Sequence, residues 1–145
     1  MDFIKQFFFS FICTIGFAIF FSIPKNSILK SGIAGAIGWV IYIQIANIFS
    51  SNILGVFCGA LTVGILGEML ARNSKKPATV FIIPGIVPLV PGSGMYYTML
   101  AITEKRFNDA ANIGTETIFM AVAIAMGIII SSSLSKSIKR VKNKS

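Results

Sequence analysis

Few groups in this 145-residue chain can take up and release a proton near neutral pH, because it has five carboxylates and no histidine. Two of the carboxylates, Glu68 and Glu116, fall inside long apolar runs. A carboxylate in that setting is a candidate for proton coupling or ligand binding. Arg72 follows Glu68 by four residues on the same helical face, so an ion pair is the competing reading there. Glu116 lies between Thr115 and Thr117, a turn or two into its own run.

The third chemical resource is backbone. Residues 82–97 hold Pro84, Pro88 and Pro91 together with Gly85, Gly92 and Gly94 in an otherwise apolar stretch. Each proline removes a donor and crowds the preceding turn, and the residue before it is pushed away from helical geometry. These rules lead us to expect a mostly extended segment from Ile83 to Val90. The upstream helix then ends near Ile82, and a second helix begins near Ser93 with the serine hydroxyl as its cap. Free N–H groups at Gly94 and Met95 would attract an anion, and free carbonyls upstream would attract an ammonium group or cation. Irregular backbone at membrane depth survives only against protein or a wet cavity, which makes a broken span a pointer to a transport site. Pro84, Gly85, Pro88, Pro91, Gly92, Ser93, Gly94 and Tyr96 are therefore the expected substrate-binding residues, with Glu68 and Glu116 as proton-coupling candidates. Tyr97 and Thr79 flank the break, and tyrosines also serve as interface anchors.

The elements that must position these groups are apolar helices. The composition is 54% hydrophobic and 12% charged, about half the charged share of a soluble domain. The net charge of +8 sits in short segments between apolar runs, which suits anionic lipid headgroups and not nucleic acid. Without histidine, a Ser-His-Asp triad is excluded and a His/Cys metal site is unsupported, so neither a metal nor a cofactor is expected. Cys13 and Cys58 lie within apolar runs and read as reduced packing residues.

The reading is an all-α integral membrane protein with five transmembrane helices, the fourth broken by the Pro/Gly-rich segment. The spans cover about 3–23, 31–49, 53–70, 78–103 and 110–134, with a basic tail over 135–145. Lys25 and Lys30, Arg72, Lys75 and Lys76, and the tail's Lys136, Lys139, Arg140, Lys142 and Lys144 all fall on one side if the fourth segment crosses. The positive-inside rule makes that side cytoplasmic and leaves the N-terminus outside. Gly32, Gly35 and Gly38 in the second span, and Gly55, Gly59, Gly64 and Gly67 in the third, mark close helix contacts. Five helices without an internal repeat suggest half of a carrier.

The run Pro77-Ala78-Thr79, Phe81, Ile83-Pro84-Gly85-Ile86 and Pro88-Leu89-Val90-Pro91-Gly92-Ser93-Gly94-Met95-Tyr96, after Glu68 and Arg72, resembles the threonine/serine exporter (ThrE) family. The Gly35–Trp39 run fits the same pattern, and the likeness is to the small membrane subunit of the two-chain form. The resemblance implies a non-enzymatic, proton-driven efflux carrier of the cell (inner) membrane. It implies a larger exporter-family membrane subunit as partner, and a higher oligomer is compatible with it. Threonine and serine are the substrates it implies first. A small, succinate-like dicarboxylate is the alternative, as is an assembly role in which the larger partner carries the transport site.

Overall fold

The computed structural model describes residues 3–142, with side chains through residue 138. Lys144 of the expected tail lies outside the described residues, as do the side chains of Lys139, Arg140 and Lys142. Six α-helices follow one another among the described residues: α1 Phe3–Phe20, α2 Lys25–Phe49, α3 Asn52–Ser74, α4 Thr79–Ile86, α5 Gly92–Thr103 and α6 Phe107–Lys142. A 3₁₀ turn, Val87–Leu89, joins α4 to the break before α5. Four helices are long and apolar enough to cross a membrane, and the bent α4–α5 pair makes a fifth if taken as one span. The protein is an all-α, multi-pass membrane protein.

The turns between helices share one chemistry. Ser22, Lys75 and Lys105 each adopt positive φ after a helix. The N–H groups of Ile23, Lys76 and Arg106 then reach back to the carbonyls of Ala18, Ala71 and Ala101. This is the Schellman closure, which satisfies end carbonyls by reversing the backbone hand for one residue. Ser50 ends α2 with the same left-handed turn. Ser51 opens α3 by accepting the Leu54 N–H on its hydroxyl.

Small residues decide how these helices meet. A Cβ on Gly59 would lie 2.9 Å from the Gly38 carbonyl, so α2 and α3 touch almost backbone to backbone. Gly85 of α4 packs on Val63 and Gly35, and Gly67 of α3 packs on Ile82. On the other side of α3, Gly127 of α6 faces the backbone of Phe57 and Leu61, and Gly64 faces Ser131. The pairs Asn52–Glu116 and Glu68–Ser135 show α3 and α6 running parallel. The core between them is Val56, Ala60, Val63, Leu89 and Ile124, flanked by Trp39, Tyr42, Ile86, Met120 and Ile128. Phe8, Phe9, Phe20 and Ile118 are among the many large apolar side chains left exposed on the outside, as a lipid-facing surface requires.

The break departs from the sequence expectation. Residues 83–89 are helical, not extended, and only Val90 before Pro91 takes extended geometry, with ψ 128°. Burial provides the reason. Phe81, Ile82, Pro84, Gly85 and Leu89 are buried along one side of a continuous turn, where α4 packs on α2 and α3. Helical packing there overrides the local preference of Ile83 and Val87. Pro88 has no N–H for the Pro84 carbonyl, so the Val87 N–H takes it and tightens the helix to 3₁₀. The chain then bends by 47° and continues onward in the same sense into α5. Gly94 meets Thr117 while Thr98 meets Gly114, which makes α5 antiparallel to the start of α6.

Candidate functional site

A cavity of about 260 Å³ opens beside the break. The break supplies Pro88, Leu89, Val90 and Pro91, and the first turns of α5 supply Ser93, Gly94 and Tyr97. Trp39 and Tyr42 enter from α2, Asn52 from the start of α3, and Ile113, Glu116, Thr117 and Met120 from α6. Glu116 is the one charged side chain among these lining residues. Its Oε1 accepts a hydrogen bond from Asn52 Nδ2 at 3.0 Å, which ties α6 to the start of α3.

The backbone of the break completes the polar lining, but not with the donors expected from sequence. Helix α5 starts at Gly92 with Pro91 in the cap position, and no side chain caps it, so Ser93 is not the cap. Proline leaves no hydroxyl or amide there to receive the first-turn donors. The Met95 N–H binds the Pro91 carbonyl and the Gly92 N–H binds Val90. The N–H groups without a backbone partner are those of Ser93 and Gly94, at the positive end of the α5 dipole. The Pro88 and Leu89 carbonyls have no backbone donor either, because Pro91 has no N–H and that of Gly92 turns to Val90. The residues lining this cavity thus carry a carboxylate, two amide donors and two carbonyl acceptors without backbone partners.

The other expected site residues are placed elsewhere. Pro84 and Gly85 are buried in α4 against α2 and line no part of this cavity. Gly92 stands in open space, and Tyr96 is 64% exposed on the outer side of α5, stacked edge-on against Tyr97. Glu68 is sixteen residues along α3 from Asn52, about 24 Å at the helical rise.

Glu68 and Arg72 do not form the direct ion pair that their spacing invites. Ser135 of α6 stands between them: its hydroxyl donates to Glu68 Oε2 at 3.0 Å and receives Arg72 Nη2 at 2.6 Å, while its carbonyl also accepts from Arg72. The parallel course of α3 and α6 inserts the serine, which sequence spacing on α3 alone does not reveal. Ser135→Ala should lower the unfolding free energy in detergent by about 1–3 kcal/mol, the range for losing hydrogen bonds to charged groups, and a thermal or denaturant unfolding series checks it.

Asn52 and Tyr42, with the apolar Ile113 and Met120, are lining residues that sequence reasoning missed. Asn52 has a faint signal, as an amide at the first position of a helix in a loop without charge. At the far end of α5, Arg106 binds Glu104 and Asp109 across the α5–α6 turn. The hydrogen bonds that the guanidinium donates to Glu104, and next that to Asp109, raise its pKa above the ordinary value.

Residues 6–134 match the family model described as Threonine/Serine exporter, ThrE. A threonine/serine exporter of Corynebacterium glutamicum is 25% identical over 119 residues, covering 79% of this chain and 23% of its own length. An uncharacterized protein of Haemophilus influenzae is 24% identical over 125 residues, covering 84% of this chain and 42% of its own. The chain therefore spans less than half the length of these relatives. No solved structure matches it.

Proposed function

This chain belongs to the threonine/serine exporter family, and we propose that it forms the smaller membrane part of a proton-driven exporter whose substrate binds in the cavity at the break. The observation that carries this reading is Glu116, the cavity's one charged lining residue, placed beside the unpaired Ser93 and Gly94 donors. A small zwitterion fits that arrangement. Its carboxylate takes the α5 N-terminus, and its ammonium takes Glu116 with the Pro88 and Leu89 carbonyls. A dicarboxylate would bring a second anion against Glu116, a like-charge contact that disfavours it. Threonine or serine is therefore the substrate class we assign.

Glu116 is also the better proton carrier of the two carboxylates. It borders the cavity, whereas Glu68 is held by Ser135 at the other end of the bundle. Protonation of Glu116 would release the ammonium, and substrate would restore the anion, which couples the two fluxes. A larger membrane subunit would cover the open side of α5 and α6, where Tyr96, Met99, Ile118 and Phe119 stand exposed. The lysine-rich ends of α2, α3 and α6 face the cytoplasm in this reading, with the N-terminus outside, in the inner membrane.

Reconstitution of the chain with and without the larger subunit tests the proposal. Labelled serine should leave the two-chain vesicles at a rate that collapses with protonophore, while labelled succinate should not move. Serine efflux by the larger subunit alone would assign the site to the partner. Succinate efflux would overturn the zwitterion assignment.

A further inference from the structure

We propose that the groove between α2 and α3 at the lysine-rich end binds one anionic diacyl phospholipid. Ile33, Ala34 and Ile37 of α2 and Leu66, Met69 and Leu70 of α3 line a cavity of about 180 Å³ whose exposed lining is wholly apolar apart from Lys30 at its head. These residues recur at helical spacing, so the groove follows the helix axes for about 10 Å from Lys30 to Ile37. That length takes the upper part of an acyl chain lying parallel to its neighbours in the bilayer.

The head of the groove is built for an anion. Lys30 Nζ donates to Ser74 Oγ at 3.1 Å, which holds its ammonium across to the end of α3. One turn earlier on α2, Ser27 receives Lys76 Nζ at 2.9 Å. Two cations are thus held one turn apart on α2 by neutral hydroxyls, Lys30 at the groove and Lys76 on the buried Ser27, so no described carboxylate compensates their charge. The described carboxylates lie elsewhere: Glu68 faces Ser135 of α6, and Glu104, Asp109 and Glu116 are at the opposite end of the bundle. Positive charge above a dry apolar slot at headgroup depth selects a lipid with a phosphate that keeps its net negative charge, such as a phosphatidylglycerol, over a zwitterionic phosphatidylcholine. A second protein helix would fill the slot but would leave both ammonium groups unmatched.

Native mass spectrometry of the purified full chain with phosphatidylglycerol and phosphatidylcholine of identical acyl chains tests this. The wild type should retain phosphatidylglycerol preferentially, and Lys30→Gln should cut that preference about fivefold, the effect of one lysine at a membrane surface. Lys75→Gln removes the same charge from an exposed side chain that does not line the groove and should leave the preference nearly intact. Ala34→Phe should reduce retention of both lipids by filling the slot. Equal retention of the two lipids by the wild type would overturn the proposal. So would equal losses in Lys30→Gln and Lys75→Gln, or a dimer whose interface covers the groove.

Discussion

In the proposed two-chain carrier, Glu116→Gln should lower proton-driven serine efflux about a hundredfold while leaving the protein folded. Glu116 and its contact with Asn52 are exposed in the single chain, and the larger subunit proposed above buries them. Removing one partner of the charge contact with the substrate ammonium therefore costs about 2–5 kcal/mol. The amide keeps the volume of the carboxylate and can still accept from Asn52 Nδ2, so the α3–α6 contact survives. It can neither take up a proton nor offset the ammonium. Efflux from vesicles at several imposed pH gradients should therefore become slow and insensitive to the gradient. Glu68→Gln is the comparison, and its effect should appear in stability, because its partner is Ser135 and not the cavity. Unchanged, gradient-dependent efflux in Glu116→Gln would remove Glu116 from the coupling step.

Gly127→Leu should be the most damaging packing change, with a loss of about 3 kcal/mol or more in unfolding free energy, at or above the upper end of overpacking effects. A Cβ at Gly127 would sit 2.9 Å from the Phe57 carbonyl oxygen and 3.0 Å from the Leu61 nitrogen. Both are backbone atoms of α3 and cannot rotate aside. The helices must separate, and separation also strains the Asn52–Glu116 bond at one end and the Glu68–Ser135–Arg72 bridge at the other. Gly16→Leu is the control, since nothing lies within 4 Å of a Cβ placed there. Unfolding midpoints of the two variants in the same detergent measure the difference. Similar midpoints would show that α3 and α6 do not depend on this close approach.

The two effects divide what local chemistry settles from what packing settles. Long apolar runs with few charges leave helices as the main way to satisfy backbone groups in lipid, so the all-α membrane class was legible from composition and spacing. The glycines that mark helix contacts were legible too, because small residues are what allow backbones to approach without a hydrophobic driving force. Residue types in the break announced an interruption somewhere between Ile83 and Met95. Its position was not decided locally. Ile83 and Val87 precede prolines yet remain helical, because the face carrying Phe81, Gly85 and Leu89 is buried against α2 and α3. Val90 is exposed and free to follow its proline.

The cavity shows the same division. Its carboxylate and its Pro/Gly backbone were visible in the chain, whereas Asn52 joins Glu116 across 64 residues of sequence. Ser135 separates Glu68 from Arg72 across a similar span. Composition and local spacing were enough to give the helical class, the apolar lengths, the clustered positive charge and the identity of the interrupted segment. Where the interruption falls and which carboxylate borders it came from the packing of the helices. The reason is physical: helix formation and proline geometry act within a few residues, while the register of parallel α3 and α6 depends on contacts between helices distant in sequence.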